Sequence, residues 1–201
     1  KDVFNREVTL ADVTHSWVPS EGKITEFPEG KTWKDYVADT RMEITCGEAP
    51  YLVSRYDTTT GQPIPLDRRI GFLDRKLRLI SENCDREIEW LEAAYLAYKN
   101  IYGYEWQGDN LLLAREALLV TFLEYFYAKF GELPQKKKET KSKEWVKLIA
   151  YVISWNIWQM DGLKFVIPET CHDYEKVTLT EASLFEPAKE TVGFSFVIMS
   201  I

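Results

Sequence analysis

A chain of 201 residues, 45% hydrophobic and 14% aromatic, can bury a core of its own, which excludes a disordered polar segment. A formal charge of −7 excludes a surface built mainly to neutralise phosphates, because that grip comes from Lys and Arg displacing counterions. Three cysteines without paired spacing (Cys46, Cys84, Cys171) exclude a disulfide frame, and no apolar run approaches the roughly 18 residues of a membrane span. Cytoplasmic localisation and no membrane partner are expected.

Residues 1–40 read as an irregular N-terminal arm. Short β-prone pieces (Glu7–Leu10, His15–Val18) are interrupted by Pro19, Gly22, Pro28 and Gly30, with Trp17 and Trp33 as anchors. Residues 41–201 read as one domain. Arg41–Thr45 is a strand that runs into Cys46-Gly47-Glu48-Ala49-Pro50, and Tyr51–Tyr56 is a second extended piece ending in a turn at Asp57–Gly61.

Helical periodicity follows over Asp67–Ser81, with Ile70, Leu73, Leu77 and Ile80 on one face. It returns over Asp85–Asn100, with Ile88, Leu91, Ala94, Tyr95 and Tyr98 aligned. Ile101–Trp106 reads as a strand and Gly108-Asp109-Asn110 as a helix start. The helix from Asn110 to about Phe130 is apolar around much of its circumference and is expected to be buried on more than one side. Gln135–Ser142 reads as a charged, solvated loop. A helix over Lys143–Ser154 and a strand over Asn156–Met160 complete a strand–helix alternation, which indicates parallel β-α-β units in an open α/β sheet.

Ligands of such sheets lie at the strand ends, and three strand-end segments carry chemistry. In Arg41-Met42-Glu43-Ile44-Thr45-Cys46-Gly47-Glu48-Ala49-Pro50-Tyr51-Leu52, an acidic residue precedes a loop of small residues, where a ligand meets backbone closely. In Ile101-Tyr102-Gly103-Tyr104-Glu105-Trp106, a strand ends on a carboxylate beside an aromatic; such a carboxylate can accept hydrogen bonds from ribose hydroxyls. In Ile153–Leu163, a strand delivers Asp161-Gly162. His15, His172 and the cysteines lack ligand spacing, so no metal site is expected. Trp90, Tyr95, Tyr125 and Trp145 read as core rather than stacking platforms.

These segments resemble motifs I, II and III of the N6-adenine DNA methyltransferases of bacterial restriction–modification systems. The motif II likeness continues into Ala114-Arg115 and Leu118. Ala49 stands where that family has a second Gly, and Met160 where it has the Gly before Asp. The stretches WKDYVADTRMEITCGEAPYLVSRYDTTTG, RIGFLDRKLR and ISWNIWQMDGLK are similar to restriction endonuclease M subunits, the likeness covering about three quarters of the chain. The separation of Glu43 from Glu105 far exceeds the about 20 residues of a dinucleotide-binding unit, so the helices over 67–100 read as an insertion or enlarged crossover.

The resemblance implies a Rossmann-like class I S-adenosylmethionine-dependent methyltransferase fold, with a partial parallel sheet and inserted helices. It implies cofactor-binding roles for Glu43, Cys46, Gly47, Ala49, Tyr51, Glu105, Trp106 and Asp161. Glu105 would hold the ribose, Trp106 the adenine ring and Asp161 the adenine amine. Phe194–Met199 resembles the strand before the catalytic Asn-Pro-Pro-aromatic tetrapeptide, with Ser200-Ile201 at the first two positions of that tetrapeptide. Those groups accept hydrogen bonds from adenine N6 and stack on the flipped base. No catalytic residue is therefore expected in this chain, which reads as a fragment or truncation, inactive alone. Its expected partners are double-stranded DNA, met through regions mostly outside the chain, and restriction–modification subunits. Two other readings remain: a non-catalytic remnant or scaffold module, and a dehydrogenase-like nucleotide binder, which lacks support because the first loop has no Gly-x-Gly-x-x-Gly.

Overall fold

The computed structural model describes residues 30–57, 59–136, 140–162 and 166–167. The readings placed on His15, Trp17, Cys171, His172, Phe194–Met199 and Ser200-Ile201 lie outside them. The described residues form a mixed α/β structure with a three-stranded parallel sheet in the order β1 (Arg41–Ile44), β2 (Ile101–Glu105), β3 (Ile157–Gln159). The register sets Glu43 beside Gly103 and Gly103 beside Ile157, then Glu105 beside Gln159. Successive side chains of a strand point to opposite faces. Ile101 and Ile157 therefore share the Glu43 face and enter the core, whereas Met42 and Ile44 point the other way and are exposed.

Among the described residues, five α-helices accompany the sheet: α1 (Trp33–Ala38), α2 (Phe72–Asn83), α3 (Glu87–Lys99), α4 (Gly108–Phe130) and α5 (Thr140–Asn156). Helix α1 replaces the irregular arm expected over its residues. The Asp35 carboxylate reaches back to accept from the Thr32 amide at 2.8 Å and hydroxyl at 2.7 Å, and the buried Tyr36 and Val37 tie the turn to the interior. Trp33 packs against the core as the sequence suggests.

The helix predicted over 67–81 splits into a 3-10 turn, Leu66–Arg68, and α2. Gly71 marks the break: a Cβ there would sit 2.5 Å from the Leu52 carbonyl oxygen and 2.6 Å from Asp74 Oδ2. Ile70, expected on the apolar face, is exposed, and so is Ile88 ahead of α3's buried Leu91, Ala94 and Tyr98. Tyr51 and Leu52 form a turn rather than a strand, and only Tyr56 makes a β-bridge, to Pro63. Helix α5 begins at Thr140, inside the segment read as a loop.

Helix α4 starts at Gly108 after an extended Gln107 and ends on Gly131, whose left-handed φ of 73° lets its amide reach the Tyr127 carbonyl at 2.8 Å. Its buried residues (Leu111, Ala114, Leu118, Thr121, Phe122, Tyr125, Phe126) form one stripe, with Leu112, Leu113 and Tyr127 exposed. Helices α2 and α5 and both β2 and β3 contact α4, and Ala117, Leu119 and Leu123 beside the stripe also pack against the core, in keeping with the expected burial on more than one side. Trp90 fills the centre, with ring centroids 5.5–6.0 Å from Phe122, Phe126 and Phe130 and its indole N–H donated to Ser81 Oγ at 2.9 Å. Tyr125 is buried, and Tyr95 and Trp145 pack edge to face, 6.0 Å apart, against the core.

Candidate functional site

The carboxyl ends of the three strands gather most of the sequence-predicted residues. β1 leaves the sheet through a loop in which Thr45 (φ 57°), Gly47 (φ 54°) and Ala49 (φ 63°) are all left-handed. Two of the three carry a Cβ, at a cost of about 1–2 kcal/mol each, so the surroundings must impose the conformation. The loop stays attached to the sheet because the Cys46 amide donates to the Tyr104 carbonyl at 2.8 Å, continuing the β1–β2 ladder. The Ala49 amide then returns to the Cys46 carbonyl at 2.7 Å, and the Val53 amide to the Ala49 carbonyl at 2.9 Å.

Two carboxylates hold the loop from below. Glu105 Oε2 accepts from the Gly47 amide at 2.7 Å while its Oε1 accepts from Gln107 at 3.0 Å. Glu43 Oε2 accepts from the Leu52 amide at 3.1 Å. Both side chains are buried, and the ion pairs among the described residues include neither. Burial pushes the Glu43 carboxyl up to about 7, against the opposing pull of the Leu52 and Tyr51 amides. Burial first, then the negative fields of Glu43 and Glu105, push the Cys46 thiol up to about 12, so Cys46 stays a neutral packing residue at neutral pH.

Gly103 explains how the loop can sit so low. A Cβ there would lie 3.1 Å from Cys46 Sγ and 3.2 Å from Ile157 Cδ1, so Gly lets both side chains settle onto β2 without being pushed aside by a few tenths of an ångström. On the far side, the Met160 amide donates to the Glu105 carbonyl at 3.0 Å and the Asp161 amide to the Val166 carbonyl at 2.9 Å. The chain thus turns across the sheet edge: a Cβ on Gly162 would meet Ile44 Cγ2 of β1 at 2.5 Å. The Asp161 turn therefore lies against the end of β1, two strands away in the sheet order.

Glu43, Cys46, Gly47, Ala49 and Glu105 accordingly form one hydrogen-bonded assembly, and Asp161 arrives beside it. Ala49 is fully buried, so its side chain points into the core and only its backbone borders the loop. Tyr51 and Trp106 are 71% and 53% exposed; Trp106 directly follows Glu105 and Tyr51 follows the loop, so both rings are open to solvent next to these segments in the chain. Gln159 Nε2 donates to the Trp106 carbonyl at 3.0 Å and fixes the rim backbone. Sequence reasoning missed the Leu52 and Gln107 amides and Gln159, because such partners depend on loop geometry rather than residue type. A separate cleft of about 360 Å³ lies beside the loop, lined by Glu48, Pro50, Tyr56, Asp57 and Gly61, with the Tyr56 hydroxyl hydrogen-bonded to Glu48. It includes none of the predicted site residues.

Among the described residues, no helix is long and apolar enough to cross a membrane. The chain matches no protein-family profile, no curated protein and no solved structure.

Proposed function

We propose that this chain binds S-adenosylmethionine at the carboxyl edge of a Rossmann-like class I sheet, as the cofactor-binding part of a DNA adenine-N6 methyltransferase of restriction–modification type. One observation carries the reading. Two buried carboxylates without cationic partners among the described residues, Glu43 and Glu105, stand at the ends of adjacent parallel strands beneath a left-handed loop, and the Asp161 turn closes the edge. Buried carboxylates are costly unless something positive or strongly donating meets them. A ligand bearing a sulfonium, an ammonium group and ribose hydroxyls supplies all of these.

The residues fit such a ligand in a specific way. Each oxygen of Glu105 accepts one amide and retains a further lone pair for a ribose hydroxyl. Tyr51 and Trp106 offer exposed rings for the adenine, and Asp161 stands on the β3 side of the same edge for its amine. The bound cofactor supplies an electrophilic methyl group. This chain's own part is to fix the loop, orient the ribose and hold negative charge near the sulfonium. Adenine N6 must be engaged by groups outside the described residues.

A second reading, a scaffold module with a degenerate pocket, is favoured by two details. Ala49 fills the place of the family's Gly with a buried methyl, and Met160 is buried where the family has Gly. Isothermal titration calorimetry with S-adenosylmethionine separates the readings. Micromolar binding, weakened at least about tenfold in Glu105→Ala through loss of charge-assisted hydrogen bonds, supports the enzyme reading. A wild-type chain that melts cooperatively yet gives no heat supports the scaffold.

A further inference from the structure

Helix α5 carries an exposed stripe that the cofactor site does not use. Lys143, Lys147, Tyr151 and Trp155 succeed one another at every fourth residue and are all exposed. Four helical residues advance about 6 Å, so they line one side of the helix. The aromatic end continues into β3: Tyr151 and Trp155 ring centroids are 6.0 Å apart, and Trp155 and Trp158 are 5.9 Å apart, each pair near edge to face. Tyr151 and Trp155 remain 60% and 53% exposed, and the Trp158 indole N–H is held by the Trp155 carbonyl. The ion pairs among the described residues involve neither lysine. Three aromatic rings continue the pair of ammonium groups, beside which Glu144 is also exposed, so the aromatic end rather than the charge distinguishes this face from an ordinary solvated one.

We propose that this stripe is a docking surface for single-stranded DNA, with bases stacking on Tyr151, Trp155 and Trp158 and the neighbouring phosphates meeting Lys147 and Lys143. The chemistry is complementary on both counts: every base has a π-face for an aromatic ring, and cationic side chains displace counterions from phosphate. Ring spacing and tilt suit an open strand better than a stacked one. Rings about 6 Å apart exceed the about 3.4 Å per nucleotide of a stacked duplex strand, so bases reach them only where stacking is open. The acidic chain as a whole keeps the contact local, so binding is salt-sensitive and carried mainly by the rings. The choice of DNA over RNA rests on the methyltransferase reading; the stripe itself does not depend on cofactor binding.

The test is fluorescence anisotropy of a labelled twelve-nucleotide oligothymidylate titrated with the whole chain at low salt. We expect binding that weakens about tenfold in Trp155→Ala, the effect of one lost base stack, and is largely kept in Trp155→Phe. The double variant Lys143→Ala/Lys147→Ala should flatten the log–log salt dependence by about 1.4, for two phosphate contacts on a single strand. Tyr127→Ala, an exposed aromatic elsewhere on the surface, should change nothing. Absence of binding, or binding indifferent to the stripe variants while each retains its melting transition, overturns the proposal. Tighter binding of duplex or of oligouridylate overturns the assignment to single-stranded DNA. Light scattering that shows a dimer dissolved by Trp155→Ala would give the face to a second copy instead. Calorimetry with S-adenosylmethionine on the same Trp155→Ala protein should be unchanged, so failure of the strand and failure of the cofactor are scored apart.

Discussion

The helix-packed interior and the carboxyl edge of the sheet are built on opposite rules. Around Trp90, apolar and aromatic side chains interlock, and the backbone runs in regular helix. At the edge, three residues within five are left-handed, two carboxylates are buried without cations among the described residues, and a cysteine lies close to both. One region gathers favourable burial; the other holds strain and desolvated charge that the first must sustain. A loop that preferred its own geometry would relax, so the edge retains its shape because Glu43, Glu105 and Gly103, together with the backbone bond from Cys46 to Tyr104, hold it in place.

The contrast can be broken most severely from the interior. Trp90→Ala should cost about 3–5 kcal/mol, a large share of a domain's stability, and would be read from the urea midpoint. Gly103→Ala should cost about 1–3 kcal/mol, because its methyl crowds Cys46 and Ile157. Unlike the core variant, it should also abolish S-adenosylmethionine binding while the protein is still folded, since the loop is lifted from β2. Binding that survives in Gly103→Ala would detach the loop from the proposed site.

Stability should pass through a shallow minimum near neutral pH. Burial raises the Glu43 carboxyl from 4.5 to about 7 and the Asp74 carboxyl from 3.8 to about 6, so the folded chain holds protons the unfolded chain has lost. Stability therefore falls as pH rises from about 4 to 7. Burial lowers the Lys76 ammonium from 10.5 to about 7, although its Nζ donates to the Asp39 and Asn100 carbonyls, so above 7 the unfolded chain binds the extra proton and stability rises. Melting temperatures across this range check the shape, and Glu43→Gln should flatten the acid limb. A melting temperature that climbs steadily from pH 4 to 7 would contradict the assignment.

The smallest effect is expected at Ala49. Glycine there removes about 1–2 kcal/mol of left-handed strain but also loses a buried methyl and gains unfolded-state entropy, so the melting temperature should move little. On the scaffold reading, Ala49→Gly gains no cofactor affinity; on the enzyme reading it tightens binding by bringing the backbone closer. Calorimetry on this single variant sharpens the distinction.

Much of this was readable in the residues, and the exceptions have physical causes. The strands at 41–44 and 101–105 and the helix through Trp90 follow from local periodicity and emerge where expected. Helix α1 escaped because six residues show too little period; its capping box and the burial of Tyr36 and Val37 hold it instead. The break at Gly71 depends on backbone from Leu52, a contact no window of sequence contains. At the site, residue types pointed to Glu43, Glu105 and Asp161, and the sheet brings all three to one edge. The clamp from Glu105 to the Gly47 amide joins positions distant in the chain and appears only once the parallel register is formed.

The most direct test of the proposed cofactor site is a two-dimensional amide NMR titration of the chain with S-adenosylmethionine. We expect saturable shifts concentrated at the Gly47, Leu52 and Gln107 amides, which the two buried carboxylates hold, with the resonances of Trp90 and its neighbours unmoved. A folded spectrum without shifts, or shifts confined to another part of the molecule, would contradict it.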